Sequence, residues 1–178
     1  RSGGMHYTSI ENIHKVIDPL FLDELKAELE EIKNINVEKM RNVKLENFRR
    51  KLSTFTFFDP ACGSGNFLTE TYISLRRLEN EALRKEYDGQ GLLENIAPIN
   101  VGIKQFYGIE INDFAVTVAK TALWIAESQM MHETEGIMQI NLDFLPLKSY
   151  ANIVEGNALR VDWESVVPKD KLNYIMGN

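Results

Sequence analysis

The amino-acid sequence predicts an α/β fold built on a sheet of parallel strands that is covered on both faces. Two observations lead to this prediction. Short runs of β-branched and aromatic residues, typical of buried strands, stand at residues 54–58, 105–111, 152–155 and 172–177. Helical patterns stand before the first run and after the first and second runs. Such an alternation of strands and helices is typical of α/β sheets.

Length and composition limit the kind of protein. The chain has 178 residues, 20 Lys and Arg against 26 Asp and Glu, a net charge of −6 and a hydrophobic fraction of 44%. This composition excludes a disordered chain, a collagen-like chain and a disulfide scaffold. The acidic balance argues against a dedicated nucleic-acid binder, which normally carries a basic excess. No apolar run approaches the ~20 residues that a membrane span needs.

The cysteine content and the chain ends support two further expectations. The single cysteine, Cys62, favours a reduced cytosolic chain. Because no two cysteine or histidine residues stand at zinc-finger spacing, we expect no structural zinc. The chain begins at Arg1 rather than at a methionine and stops at Asn178 directly after an apolar run, so we expect a piece of a longer polypeptide.

Three helices are predicted ahead of the first strand. A Thr-Ser pair at residues 8–9 is a suitable N-cap for the first helix. We expect this helix to end near the Asp-Pro pair at residues 18–19, because the residue before a proline disfavours helical geometry. Apolar residues recur at 3- and 4-residue steps in residues 20–33 and again in residues 37–51, where the last turn is basic.

The rest of the chain alternates between strand and helix. Asn112 or Asp113 is a suitable cap for the longer helix, and residues 133–151 have no clear pattern. In chain order, the sequence predicts a strand at 54–58, a helix from Asn66 to about Tyr87, an irregular insertion at 88–103, a strand at 105–111, a helix at 112–131, and strands at 152–155 and 172–177.

Functional residues are expected in the turns after the strands, because ligands of such sheets bind at the carboxyl ends of the strands. The first turn carries Gly63 and Gly65 and leads into a helix whose first N–H groups are free. The second strand closes with Glu110, a carboxylate that can accept both hydroxyls of a ribose. The third turn offers Asn157, a donor and acceptor suited to an adenine edge. Taken singly, each is also compatible with a plain turn or a solvated acid.

Together these turns resemble the motifs of amino-methylating DNA methyltransferases. DPACGSGNF resembles their cofactor motif, YGIE their ribose-binding motif, EGNAL the third motif, and IMGN the start of the catalytic Asn-Pro-Pro-aromatic motif. GGMHYTS resembles the extra cofactor motif that the γ class places ahead of the first strand. The runs YTS, VIDPLFLDEL and TALWIAE are similar to the MmeI-like single-chain restriction-modification enzymes of types IIG and IIL.

The resemblance implies a fold, a cofactor and a substrate. The fold is part of a Rossmann-like sheet of the class I S-adenosylmethionine-dependent methyltransferases, with an N-terminal helical segment. Residues 1–52 would carry the extra cofactor motif, and residues 53–178 would be the cofactor-binding half, truncated at the catalytic motif. The implied reaction methylates N6 of adenine in double-stranded DNA, in the bacterial cytoplasm, with S-adenosylmethionine as donor and without a metal or a membrane.

The resemblance also implies individual roles. The catalytic residue would be Asn178, and the family more often has Asp where this chain has Asn157, which affects the hydrogen bond to the adenine amino group. The implied cofactor-binding residues are Tyr7, Thr8, Ser9, Asp59, Ala61, Gly63, Gly65, Asn66, Phe67, Glu110, Ile111, Asn157 and Ala158.

Alternatives from other classes stay open at this point. A dinucleotide oxidoreductase would need glycine where Leu68 stands and an acid about 20 residues further on, whereas Glu110 lies far beyond that distance. A protein-glutamine methyltransferase uses a similar catalytic motif but does not account for GGMHYTS or TALWIAE. A non-catalytic scaffold with residues 20–51 as a docking surface is the third possibility. For the isolated chain we expect weak cofactor binding and no methylation.

Several residue groups have a structural rather than a functional interpretation. We expect aromatic and aliphatic side chains of the first strand and the second long helix to form core, namely Phe55, Phe57, Phe58, Leu123, Trp124 and Ile125. We expect Cys62 to be a small packed residue without a lowered pKa. The basic clusters are expected to be solvated, namely Arg49-Arg50-Lys51, Arg76-Arg77 and Arg84-Lys85.

Overall fold

A computed structural model describes residues 7–88, 99–138 and 151–178. Within these ranges it shows a four-stranded parallel sheet, three N-terminal helices and two long helices between strands. Three parts of the sequence predictions lie outside the described residues. They are the start of the GGMHYTS motif, most of the irregular insertion and most of the unassigned stretch after the second long helix.

The N-terminal helices run on through a proline. Helix α1 ends at Ile17, next to Asp18-Pro19 as the sequence predicts, but a π turn follows directly, in which the backbone N–H of Asp23 bonds to the carbonyl of Asp18. Pro19 stands in the first turn of this wider segment, where its ring and missing N–H are tolerated. The elements are α1 Ile10–Ile17, the π turn Asp18–Leu22, α2 Asp23–Lys33 and α3 Glu38–Leu52.

All four strands are parallel and follow the order β3-β2-β1-β4. Phe57 of β1 pairs with Phe106 of β2 on one side and with Tyr174 of β4 on the other. The first and last strands are shorter than predicted, whereas β3 has the predicted bounds. The strands are β1 Phe57–Asp59, β2 Phe106–Glu110, β3 Asn152–Glu155 and β4 Tyr174–Ile175.

Helices α4 (Asn66–Glu86) and α5 (Asp113–Met138) follow β1 and β2 and pack against each other. Helix α5 is longer than predicted, because Thr134, buried against Asn80 and Arg76, extends its packed face past residue 131. Short 3₁₀ turns occur at Ile103–Gln105 and Trp163–Ser165.

The two sheet faces have different covers. Successive strand side chains point to opposite faces. Phe57 belongs to the main core, which it shares with α3, α4 and α5. Phe58 and Ile109 form a second, smaller cluster with Val167 and neighbouring side chains of residues 158–172. Helices therefore cover one face, and the stretch after β3 contributes to the cover of the other.

The N-terminal helices and the sheet share one hydrophobic core. Ile13, Leu45, Phe57 and Leu75, from four different elements, belong to a single buried cluster. The core prediction is confirmed for Phe57, Phe58 and Leu123, while Phe55 and Trp124 are half-buried. It is wrong for Ile125, which is 46% exposed on the outer side of α5.

Two arginines of the basic clusters are buried, so their predicted solvation is wrong. Arg76 is fully buried, and its guanidinium bonds Glu79 at 2.6 Å and the Thr134 hydroxyl at 2.7 Å. Arg49 is buried beside Glu86, 3.1 Å away. Burial is tolerated because each charge has a carboxylate partner. The partners, Glu86 for Arg49 and Glu79 for Arg76, stand outside the basic runs. The runs alone therefore do not indicate that these arginines are paired and buried.

Candidate functional site

A cleft of about 410 Å³ opens at the carboxyl ends of β1 and β2. Four stretches of chain contribute to its wall: the residue two positions before α1, the end of β1 with the turn after it, the end of β2 with the turn after it, and the residue three positions past β4. The lining residues are Thr8, Asp59, Ala61, Cys62, Gly63, Ser64, Asn66, Phe67, Glu110, Ile111, Asn112, Ala115 and Asn178.

The turn after β1 depends on two glycines with different surroundings. Gly63 has φ +54° and open space where a Cβ would stand, so this backbone lines the cleft. Gly65 has φ +80°, and a Cβ there would lie 2.9 Å from Cβ of Ala119 on α5. Gly63 therefore lies at the cleft as predicted, whereas Gly65 is buried at a helix contact and does not line it.

Glu110 joins the turns after β1 and β2. Its Oε2 accepts a hydrogen bond from the N–H of Gly63 at 2.9 Å, and its Oε1 accepts one from the N–H of Asn112 at 2.9 Å. Each carboxylate oxygen has two lone pairs, so each keeps one for a further donor. Ile111, 67% exposed, lies beside it in the cleft wall. The site can accept two hydroxyls next to an apolar surface.

Asp59 is an acid with little contact to water. Its side chain accepts a hydrogen bond from the N–H of Ala61 at 3.0 Å, and the residue is 3% exposed. Burial raises the pKa of Asp59 to about 6, against the hydrogen bond from Ala61, and the charge of Glu110 raises it further. Gly177 has φ +154°, and a Cβ there would lie 2.8 Å from Oδ1 of Asp59. The fourth strand thus approaches this carboxyl closely.

Cys62 lines the cleft but is buried in the turn. Burial raises the pKa of its thiol to about 12, and the charges of Asp59 and Glu110 act in the same direction. The thiol stays protonated at neutral pH, which agrees with the expected packing role and removes the nucleophilic thiolate form.

The two ends of the described chain meet at the cleft. Nδ2 of Asn178 donates a hydrogen bond to Oγ1 of Thr8 at 3.3 Å, and both residues line the cleft. Ser9 instead caps α1, with its Oγ accepting from the N–H of Asn12 at 3.3 Å. Tyr7 is 72% exposed and is not among the lining residues.

The third turn lies next to the cleft rather than in its wall. The N–H of Gly156 donates to the carbonyl of Glu110 at 2.8 Å, which places this turn beside the end of β2. Oδ1 of Asn157 accepts from the N–H of Leu159 at 2.9 Å. Neither Asn157 nor Ala158 is among the lining residues.

Four lining residues were not predicted as site residues, namely Cys62, Ser64, Asn112 and Ala115. Asn112 combines two functions, because its N–H bonds Glu110 and its Oδ1 accepts from the N–H of Ala115 at 3.1 Å at the start of α5. The sequence does carry a signal for Asn112, because an asparagine suited to cap a helix stands two residues after Glu110, the acid that closes a strand. In the part of the chain that the structure describes, no group of three His, Cys, Asp or Glu side chains is arranged to hold a metal ion.

A parallel sheet in the order β3-β2-β1-β4, with a glycine turn after β1 and an acid closing β2, defines a Rossmann-like fold of the class I methyltransferase type. The chain belongs to the family described as "MmeI, DNA-methyltransferase domain", which matches residues 32–178. Across the described ranges, none of the helices has the length and apolar character that crossing a membrane requires.

Two curated relatives and one solved structure are similar to the chain. DNA methyltransferase A of Bacillus subtilis (strain 168) is 43% identical over 178 residues, covering 98% of this chain and 19% of that protein. A putative type II restriction enzyme and methyltransferase of Methanocaldococcus jannaschii is 30% identical over 140 residues, covering 75% of this chain and 11% of that protein. The structure of the type IIL restriction-modification enzyme MmeI in complex with DNA matches with TM-score 0.87 and 44% identity, covering 97% of this chain and 22% of that one. The chain thus spans a fifth or less of the curated relatives.

Proposed function

We propose that this chain forms the cofactor-binding part of an enzyme that methylates N6 of adenine in double-stranded DNA, with S-adenosylmethionine as methyl donor. The enzyme is a single-chain restriction-modification protein of type IIG or IIL in the bacterial cytoplasm. Residues 1–52 act as a helical segment that carries the extra cofactor motif, and residues 53–178 act as the cofactor-binding half. Family membership and the similarity to a DNA methyltransferase and to a restriction-modification enzyme support this proposal.

The observation that carries the proposal is the geometry of Glu110. Its carboxylate bonds the turns after β1 and β2 and keeps an open lone pair on each oxygen. A ribose with two neighbouring hydroxyls fits that acceptor pair, and exposed Ile111 offers the apolar contact that an adenine ring needs. Asn157 and Ala158, beside the cleft, are proposed to meet the adenine edge.

The other end of the cleft suits the cationic part of the donor. The sulfonium and ammonium groups of S-adenosylmethionine are positive, and the buried carboxyl of Asp59 is the acid at that end. We assign the backbone of the turn after β1, including its glycines, and Thr8 with its neighbours Tyr7 and Ser9 to this end as well. The remaining members of the assigned set are Ala61, Gly63, Gly65, Asn66 and Phe67.

Asn178 is the proposed catalytic residue. The bound donor supplies an electrophilic methyl group, and an adenine in a duplex must first leave the base stack, at a cost of a few kcal/mol. The side-chain oxygen of Asn178 then accepts a hydrogen bond from the adenine amino group and orients its nitrogen towards the cleft. In the cofactor-free fold its Nδ2 bonds Thr8, which leaves Oδ1 as the acceptor.

The test is methylation by the full-length natural protein. Duplex DNA is incubated with methyl-labelled S-adenosylmethionine and digested to nucleosides, and the labelled base is identified. We expect N6-methyladenine, and calorimetry should show cofactor binding that the Glu110→Ala variant loses. The matched control is Glu133→Ala, an exposed glutamate on α5 outside the cleft wall.

Three outcomes would contradict the proposal in different ways. Label in cytosine would replace the adenine assignment, and unlabelled DNA together with cofactor binding would favour a methyltransferase of another substrate class. Absence of cofactor binding in the full-length wild type would favour a scaffold that kept the fold.

A further inference from the structure

A histidine outside the cleft joins two of the elements that line it. His14 lies on α1, with Nδ1 2.7 Å from Oδ1 of Asp18 in the π turn and Nε2 2.8 Å from Oε1 of Glu70 on α4. Both distances are typical of charge-assisted hydrogen bonds. The side chain of Glu70 is only 9% exposed, and that of His14 is 28% exposed. The contact with Glu70 is therefore more shielded from water than the contact with Asp18, whose side chain is 33% exposed.

This double contact requires a charged ring. A neutral imidazole has one N–H and one bare nitrogen, so it donates a single hydrogen bond, whereas an imidazolium donates two. Carboxylate oxygens face both nitrogens of His14. Burial lowers the pKa of His14, but the hydrogen bonds and charges of Asp18 and Glu70 outweigh it, and the net pKa is raised above 6.5.

The other charged groups near His14 form ion pairs with one another or line the neighbouring groove. On α1 itself, Lys15 pairs with Glu11 at 3.2 Å. Lys33 of α2 bonds carboxylates of both α2 and α4 in the groove beside His14. The charged side chains that line this groove with His14 are Lys26 and Glu30 of α2 and Arg77 and Glu81 of α4.

The link runs between two parts of the cleft wall. Thr8 lines the cleft and stands two residues before α1 begins, while Asn66 lines it and begins α4. Glu70 is one helical turn past Asn66, so His14 connects α1 to the first part of α4. Ile13 and Ile17, on the helix face next to His14, are buried in the shared core, so the helix stays docked without the histidine.

We propose that His14 is a positioning residue for the cofactor site. Its imidazolium joins α1 to α4 through hydrogen bonds and so holds Thr8 at the cleft. The proposal rests on the proposed function of the cleft. Loss of the ring proton removes one of the two hydrogen bonds and the attraction of the positive ring for both carboxylates, which weakens the hold of α4 on the start of α1. Affinity for S-adenosylmethionine therefore falls as the pH rises through the pKa of His14.

The experiment measures the dissociation constant of S-adenosylmethionine by calorimetry on the full-length protein, from about pH 6 to about pH 9, where histidine charge changes. We expect wild-type affinity to fall about tenfold over this range, within the usual size of coupling between sites. His14→Gln should be about tenfold weaker at the low end and show no such fall. His14→Arg keeps a cation with several donors at every pH and should retain affinity at the high end.

The matched control is His132→Gln, because His132 on α5 also pairs with a carboxylate, Glu135, but has an 89% exposed side chain. This variant should follow the wild-type profile. If His14→Gln also follows it, the proposal is overturned and the function of the cleft stands. A His14→Gln variant that melts earlier but keeps the wild-type pH slope overturns it as well, because that result marks a purely structural role.

Absence of cofactor binding in the wild type itself would overturn the proposed function instead. The contact of His14 with Glu70 can then be tested separately, by amide hydrogen exchange of residues 8–13 without cofactor. Protection that falls at high pH in the wild type, and that is low at every pH in His14→Gln, supports the positioning role of His14. Protection that changes neither with pH nor with the variant overturns it.

Discussion

At the scale of single residues, Asp59 links the stability of the fold to pH. Its pKa is raised from 3.8 to about 6, chiefly by burial. The folded chain therefore holds this proton more tightly than the unfolded chain does, so the carboxyl stabilises the fold while protonated. That stability is present below about pH 4 and is lost as the pH rises to about 6.

The variant Asp59→Asn should remove this dependence. The shift from 3.8 to about 6 corresponds to about 3 kcal/mol. Between about pH 4 and about pH 7, the unfolding free energy of Asp59→Asn should therefore rise by about 3 kcal/mol relative to wild type. Urea titrations at both pH values give the comparison, and a constant difference between the two proteins would contradict the assignment.

A second residue-scale prediction concerns Asn178. Because its proposed role is to orient the adenine amino group, Asn178→Ala should lower the methylation rate about 10²-fold or more, as loss of a positioned polar group does in other active sites. Cofactor affinity should change little, since the hydrogen bond to Thr8 at 3.3 Å is long. Rates and dissociation constants of the full-length protein provide the measurement. A normal rate in the variant would remove Asn178 from the chemistry.

At the scale of elements, Gly65 lies where the turn after β1 contacts α5. A side chain there meets two obstacles, a positive φ of +80° and a hypothetical Cβ only 2.9 Å from Cβ of Ala119. Gly65→Ala should therefore destabilise the chain by about 1–3 kcal/mol. Adding Ala119→Gly, compared with Ala119→Gly alone, should recover part of this loss, because it removes the 2.9 Å contact but leaves Cα of residue 119 at 3.2 Å and the backbone strain. Denaturant unfolding of the single and double variants tests both steps.

The control for this prediction is another glycine of the same region. Gly136 lies inside α5, and a Cβ there would have no heavy atom within 4 Å. Gly136→Ala should stabilise the helix by about 0.5–1 kcal/mol, because alanine loses less backbone freedom on folding. If Gly65→Ala and Gly136→Ala change the free energy of unfolding equally, the contact of Gly65 with α5 does not restrict the residue at position 65.

Element type was more predictable from the sequence than element ends. Hydrophobic periodicity indicated the helices and strands, and β3 has its predicted bounds. The α-helical hydrogen bonding of α1 ends at its proline as predicted, but the helical path continues because Phe21 and Leu22 of the π turn are buried. Tertiary packing of this kind is not encoded in local propensity.

At the scale of the whole molecule, the N-terminal helices and the sheet should unfold together. Phe48 of α3 is 2% exposed in the core that includes the strands. Phe48→Ala should cost about 3–5 kcal/mol, and hydrogen exchange in β1 should report the same loss as exchange in α3. The control is Val43→Ala on the same helix, where the valine is 51% exposed. A loss confined to the helices would indicate two independent units.

Much of the candidate site could be predicted, because motif order places residues at strand ends and parallel strands bring those ends together. Thr8, Asp59, Glu110 and Asn178 all meet at one cleft. What the sequence does not reveal is the contact between turns. The bond from Gly63 to Glu110 spans 47 positions, and its existence depends on strand order and register rather than on either turn alone.

The close approach of Gly177 to Asp59 has a consequence for how this sequence can vary. A library that randomises residues 59 and 177 together, selected for folded protein, should return glycine at 177 wherever Asp59 is kept, since a Cβ there would lie 2.8 Å from the carboxyl oxygen. Larger side chains at 177 should be rare whatever stands at 59, because a smaller residue at 59 relieves the contact but not the strain of φ +154°. Glycine at 177 thus has two separate causes, its own backbone conformation and the carboxyl beside it, and only the second depends on residue 59.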